Sequence, residues 1–483
     1  MSLLPILLFA GEALARAGGG HSYGGGGGGH SSGGGGGWSS GGGSSGGGDG
    51  GALLQLFVWL LLEHPFIGIP LTLLAIYVWV KHQGARSDMG ERQVVRVAPA
   101  AARVDLGALI QRDPQFSEVL FLDYARLMFA RVHEENGRGN IAILGALIGP
   151  RALAWLTPRA KGGTRDVIVG AARVSSASLR GEQASLGVVF EANVTEGGVH
   201  RWAREVWTFT RLAAVVSRGP EAFTALRCDN CGSALECRPD GSCTNCGTQL
   251  ADGRHLWCVA SIERVNARAL TALDVSPGGG VEAGTLLPTA RAPDLGAQLR
   301  ALQARHPEFA LPAFQQRASE IFLRVQAAWA AKDRKALRPL ETDAVFQSHR
   351  YWLDRYDREG AVNHCDSVRV GGFEVSRVQL DAWYTAITVR IFAEMLDWTA
   401  DREGRLIGGS RTESRYFSEY WTFVRAAGQP SAPRASLDSC PSCGAPLDKV
   451  GETGICGYCE ARITTGQFDW VLAGIDQDES VGG

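Results

Sequence analysis

Eight of the eleven cysteines in this 483-residue chain form four Cys-x2-Cys pairs. They are Cys228/Cys231, Cys243/Cys246, Cys440/Cys443 and Cys456/Cys459. A two-residue gap lets both sulfurs of one turn face a single ion, and two such turns complete a tetrahedron of thiolates. The stretches "CDNCGSALECRPDGSCTNCG" and "CPSCGAPLDKVGETGICGYC" therefore predict two zinc ribbons, at 228–246 and 440–459. With all four positions filled by sulfur, neither site has room for water or substrate. The expected Zn2+ is structural and supplies folding free energy to a long loop. Redox pairs and disulfides are the competing readings of the same spacing.

Gly232, Gly247 and Gly444 follow the second cysteine of their pairs, where a knuckle turn asks for positive φ; Glu460 departs from this in the fourth pair. Three cysteines remain. Cys237, inside the first loop, is a substitute ligand or a spectator. Cys258 reads as a buried strand residue. Cys365 follows His364 and reads as an inert buried thiol before it reads as a nucleophile.

The elements that must position the ribbons occur twice. "EVWTFTR" (205–211) precedes the first ribbon and "EYWTFVR" (419–425) the second. "PQFSEVLFLDYARLMFARV" (114–132) aligns with "PEFALPAFQQRASEIFLRV" (307–325), placing Phe116, Phe121 and Phe129 on Phe309, Phe314 and Phe322. "HLWCVASI" answers "FDWVLAGI", and in both the Trp (Trp257, Trp470) lies eleven positions beyond the last ribbon cysteine. The chain thus reads as two copies of one module.

Each module opens with helices. Phe314, Ala318, Ile321, Phe322, Val325, Ala328 and Trp329 recur at three- and four-residue steps, an apolar stripe for packing on a sheet. Thr342 or Asp343 is the expected N-cap of the next helix. "SVRVGGFEVSRVQL", "WYTAITVRIFAEML" and the stretch from Leu186 to Thr195 carry strand patterns. Helices first and a mainly antiparallel sheet after predict an α+β fold.

Ahead of the modules, residues 1–17 have an apolar run and an A-x-A-like end at Ala13, Ala15 and Ala17, as in a signal peptide. Residues 18–51 are a Gly/Ser-rich tether with too little apolar surface to fold, and its His21 and His30 read as exposed rather than metal-binding. Residues 52–80 hold enough apolar length for one membrane span, with the main crossing at about 64–80. Basic residues are absent from 18–65 and appear after the span as Lys81, Arg86, Arg92, Arg96 and Arg103. The positive-inside rule then puts the tether outside and the modules in the cytoplasm. The division that follows is an 81–112 juxtamembrane linker, a first module at 113–265, a linker at 266–305, a second module at 306–476 and a tail at 477–483.

The second module resembles the Tim44-like domain family. "FLRVQAAWAAKDRKALRPLETDAVF" is similar to the family's opening helices through Phe322, Ala328, Trp329, Asp333, Leu337 and Leu340, and "EYWTFVR" with "FDWVLAGI" to its closing strand pair. The resemblance spans 307–475, and 114–262 more weakly, since "ENGRGNIAILGALIGP" departs from the AW-x-x-x-D pattern. It implies a cone-like α+β fold of the nuclear-transport-factor-two superfamily. It also implies a short turn where this chain carries each ribbon. A signal, a glycine-rich stretch and one span ahead of the domain resemble bacterial members.

The resemblance implies a membrane-anchored, non-enzymatic adaptor that binds protein partners at the cytoplasmic face of a bacterial inner membrane, with lipid head groups as a further contact and protein translocation or membrane-complex assembly as its setting. The alternative is an enzyme or small-ligand binder whose cone is lined by His364, Asp366 and Asp381. Ribosome or nucleic-acid binding through the ribbons is opposed by the balance of 48 basic against 50 acidic residues. No P-loop, nucleophile elbow, HExxH or dinucleotide fingerprint occurs, so no catalytic or cofactor-binding residue is assigned.

Overall fold

The protein is described from a computed structural model, which describes residues 104–220, 236–250, 257–269, 280–282, 284–429 and 437–478, together with Ala17, Cys228, Asn230, Cys231 and Ser233. The glycine tether, the apolar segment 52–80, and the expected signal apart from Ala17 lie outside these residues. Among the described residues no helix is long and apolar enough to cross a membrane.

In chain order the first half contains α1 (Gly107–Arg112), α2 (Glu118–Gly137), α3 (Pro150–Leu156), β1 (Arg165–Arg180), β2 (Gln183–Glu196), β3 (Val199–Leu212) and β4 (Cys258–Ala269). After β5 (Gly280–Val281), the second half contains α4 (Leu295–Arg305), α5 (Leu311–Ala330), α6 (Arg334–Leu337), α7 (Asp343–Glu359), β6 (Val362–Leu380), β7 (Tyr384–Ala400), β8 (Leu406–Gly409), β9 (Arg415–Ala426) and β10 (Val471–Gln477). This is the expected α+β order.

The first sheet runs β1-β2-β3-β4 and the second β6-β7-β9-β10, antiparallel throughout. Short β8 adds to β7, and β5 adds to β9 in parallel. Each half folds around its own apolar core, where a long helix meets the inner face of the sheet. The stripe on α5 is buried at all seven expected positions. Ser117 caps α2 by accepting from the Leu120 amide at 3.3 Å. Thr342 is the N-cap of α7, but its side chain makes no capping bond; the adjacent Asp343 carboxylate instead takes the Arg338 guanidinium.

The same contacts recur in both halves. Phe121 meets Trp257 at 5.1 Å between ring centroids, and Phe314 meets Trp470 at 4.8 Å. Phe129 lies 5.0 Å from Trp207, and Phe322 4.9 Å from Trp421. Trp207 pairs across the sheet with Ile262, and Trp421 with Ile475. Both closing strands slip register just after this pair, at Ala260 and Ala473. The segments entering α3 and α7 each donate one amide to those strands: Gly149 to the Val259 carbonyl at 2.7 Å, and Thr342 to the Leu472 carbonyl at 2.9 Å.

Two expected linkers are more structured than their composition suggests. Segment 266–305 includes the end of β4, then β5 and all of α4. Leu295, Leu299 and Leu302 make an apolar stripe on α4, and Gln298 Oε1 accepts the Val378 amide of β6 at 2.8 Å. The Pro and Gly density just upstream hid that stripe. Segment 81–112 likewise ends in α1, whose Leu109 is buried.

The described residues form one compact unit, and specific contacts join its halves. Val119 and Leu120 pack with Tyr384, Val424 and Val471. Glu118 accepts from Arg377 at 2.8 Å and from Gln379 at 2.5 Å. The Trp383 indole donates to the Gln115 carbonyl at 2.8 Å. A Cβ at Gly219 would stand 2.9 Å from the Trp383 ring, so only glycine lets the chain approach so closely. Ala17 is buried in the second half's core, its carbonyl accepting from Gln326 Nε2 at 3.1 Å.

Candidate metal centres

Each pair of Cys-x2-Cys turns lies in the connection between the last two strands of its sheet, β3 to β4 and β9 to β10. The turns form knuckles: the amides of Gly247, Gly444 and Glu460 donate to the carbonyls of Cys243, Cys440 and Cys456 at 3.0, 2.8 and 2.9 Å. Positive φ is required at that position. Gly247 and Gly444 supply it at 75° and 76°, and Glu460 adopts it at 60° despite its side chain. Gly232 lies outside the described residues.

The turns bring Cys228, Cys231, Cys243 and Cys246 together, and likewise Cys440, Cys443, Cys456 and Cys459; within each set all sulfurs lie within 4.8 Å of one another. The Cys228–Cys246 and Cys231–Cys243 sulfurs are 3.7 and 3.9 Å apart, and the Cys440–Cys459 and Cys443–Cys456 sulfurs 3.8 and 4.0 Å. A tetrahedron with Zn–S bonds of ~2.3 Å has sulfur–sulfur edges of about 3.8 Å, whereas a disulfide needs about 2.05 Å. The donor sets therefore fit zinc, and all eleven cysteines are free thiols.

In both sets the first cysteine of each pair is buried and the second exposed. Burial pushes the Cys228 thiol up to about 12. Hydrogen bonds with the Thr248 hydroxyl and the Asn230 amide pull Cys246 down to about 5. A bound cation would hold all four as thiolates, the fully coordinated arrangement of a structural site.

Both ribbons dock on the same region of their halves. Cys237 is not a ligand: its sulfur donates to the Ile143 carbonyl at 2.9 Å and accepts from the Ala146 amide at 3.3 Å. The second ribbon is held through Arg338, whose Nε donates to the Glu452 carbonyl at 2.7 Å. Residues 141–147 and 334–340 are equivalent in the alignment of the two halves. Cys258 lies in β4, half-buried, its sulfur 3.8 Å from the Ala146 carbonyl oxygen. Cys365 is half-buried on β6 and contacts Asn363 Oδ1 at 3.3 Å.

The three polar residues expected to line a cone pocket do not converge. His364 stacks on Trp398 with centroids 3.8 Å apart, and Asp366 accepts from the same indole at 2.8 Å. Asp381 lies beyond the opposite end of β6, where it caps the turn by accepting the Trp383 and Tyr384 amides at 2.8 and 2.7 Å. An extended strand of this length keeps its two ends far apart.

A buried polar network escaped the sequence reading. In the first half His133 Nε2 lies 3.0 Å from Glu205 Oε2, and Arg264 donates to Glu205 Oε1 and to Glu196. Burial alone would raise the Glu205 carboxyl, but the His133 ring, Arg264 and the Trp207 N–H hold it down at about 2. Glu205, Trp207 and Phe129 fill the interior between helix and sheet with side chains. In the second half Gln326 and Gln477 align with His133 and Arg264, and Gln477 donates to Glu419 at 3.3 Å. The residues are distant in sequence and mostly lack a shared periodicity, so only the Glu-x-Trp spacing hinted at them.

A family model described as the Tim44-like domain matches residues 295–434. The match runs from α4 through β9 and stops before the second ribbon. A comparison with curated proteins returns no match.

Proposed function

We propose that the chain is a membrane-anchored, non-enzymatic adaptor built from two tandem, cone-like Tim44-like modules, each pinned by a structural zinc ribbon. The observation that carries this reading is the recurrence, outside the matched residues, of a contact made inside them: Phe129 on Trp207 repeats Phe322 on Trp421, and the strand partners of the two tryptophans, Ile262 and Ile475, correspond as well. A Tim44-like domain is a scaffold or adaptor kind of domain. Interiors packed with aromatic and charged side chains favour docking on outer surfaces over turnover in a pocket.

The apolar segment 52–80 serves as the anchor, and the basic residues after it place both modules at the cytoplasmic face of a bacterial inner membrane. Protein partners bind there, with lipid head groups as a further contact. Two modules on one anchor can engage an assembly bivalently, raising avidity without new contacts. The near-neutral charge argues against nucleic acid.

Mild cross-linking of the full-length chain in native membranes, followed by its isolation, tests the reading. Recovery of a translocase, chaperone or envelope assembly supports it. Absence of any stable protein partner, or a reporter placing Trp421 outside the cytoplasm, overturns it.

A further inference from the structure

Gln326 of α5 is fully buried and aligns with His133 of the first half. In the first half this position is closed internally, because His133 Nε2 meets Glu205 Oε2 at 3.0 Å. In the second half the corresponding acid, Glu419, takes the Trp421 indole at 2.9 Å and the Gln477 amide at 3.3 Å. Gln326 turns instead to the main chain of a distant segment: its Nε2 donates to the Ala17 carbonyl at 3.1 Å, across 309 positions of sequence. Gln326 Oε1 is buried and accepts no hydrogen bond among the described residues.

Ala17 is itself fully buried, in the apolar cluster that holds Phe322, Val325 and Trp329 of α5 and Trp421 of β9. A carboxamide sets an acceptor beside its donor group. Main chain offers the complement, a carbonyl and an N–H. At Gln326 the donor half of that pairing is made and the acceptor half is open. A buried acceptor left unmade is costly, so the site favours a segment that brings an N–H to it. The space beside it holds a methyl group, and a longer side chain would overpack a close-packed core.

We infer that the second half carries a binding site for a peptide segment with a small side chain. Gln326 reads its main chain, and its methyl-sized side chain sits in the core as Ala17 does. Main-chain bonds give such a site affinity, and the pocket for the side chain gives it selectivity. The source of the segment rests on the adaptor reading. A leader cleaved behind Ala17 leaves the chain, and a leader retained ahead of a single crossing lies on the opposite face from the modules. In the anchored protein the site therefore takes a segment from the modules' own side, supplied by the protein partner.

Titration of the full-length chain in detergent with a fluorescent peptide copying residues 13–20, "ALARAGGG", tests the site. Ala17→Arg in the chain keeps its own segment out, and fluorescence anisotropy reads binding. The peptide binds this chain, whereas the same peptide with arginine in place of the alanine before its glycines does not. Adding Gln326→Met, of similar volume, weakens the peptide by about tenfold or more. It does not lower the melting temperature, since an apolar side chain of that shape leaves no amide unpaired. Absence of binding at millimolar peptide, equal binding of the two peptides, or binding undiminished by Gln326→Met overturns the site. Recovery of a partner from membranes without peptide binding overturns the site alone; peptide binding without a membrane partner overturns the adaptor alone.

Discussion

The carboxylate of Glu205 accepts the indole N–H of Trp207 at 2.8 Å from two residues away on the same strand. Glu419 and Trp421 repeat the arrangement at 2.9 Å. Alternation along a strand puts residues i and i+2 on one face, so the repeated Glu-x-Trp spacing buries an acid beside its own donor. In the first half His133 and Arg264 complete the acid's coordination.

That coordination makes stability depend on pH. The Glu205 carboxyl is held at about 2 in the folded chain, below the ordinary ~4.3 of an unfolded glutamate. The folded state therefore binds fewer protons, and the stabilisation is complete above the ordinary value. It is lost as pH falls from about 5 towards 2, and amounts to about 3 kcal/mol. Glu205→Gln should remove this part of the stability–pH curve. Denaturant titrations of both proteins across that window measure it. Parallel curves for variant and parent would refute the assignment.

Metal analysis should return one zinc for each four-thiolate set, and Cys246→Ser or Cys459→Ser should lose one of the two. Thiolates must be deprotonated to bind, so mild acid or a chelator should release the metal and lower the melting temperature. Full retention of both ions by either variant would remove that cysteine from its set.

Cys237 carries a contrasting expectation. Its sulfur bridges the ribbon to Ile143 and Ala146 rather than reaching the cluster. Cys237→Ser should leave zinc content unchanged while costing about 1 kcal/mol of stability. Cys365→Ala should also leave the metal in place. Zinc loss in either variant, seen by elemental analysis, would contradict the geometry.

Trp383 fastens the halves to each other through Gln115 and the close approach at Gly219. Trp383→Ala combined with Glu118→Ala should weaken their coupling and split one cooperative unfolding transition into two. Scanning calorimetry decides the matter, and a single sharp transition at the parent temperature would count against this interface.

Much of this architecture was legible in order and spacing. The ribbons follow from Cys-x2-Cys pairs because local turns determine which sulfurs face one point. The α5 stripe follows from helical periodicity, since a helix of period 3.6 shows the same face every three or four residues. The recurring contacts of the two halves were visible because Phe129 and Phe322, or Trp257 and Trp470, keep their intervals. α4 was missed because Leu295, Leu299 and Leu302 follow a stretch rich in turn residues. His364, Asp366 and Asp381 were grouped by polarity alone, and a long extended strand then carried the last of them to the far end of the sheet.

By itself the sequence determined which residues could ligate metal, which segments of the two halves resemble one another and which faces are apolar, because each depends on neighbours within a few positions. Only the tertiary structure decided that the Ala17 carbonyl meets Gln326 on α5, and that His133 meets Glu205 and Arg264. Those contacts span tens to hundreds of residues and arise from how helices, sheets and halves pack, a geometry that no local interval encodes.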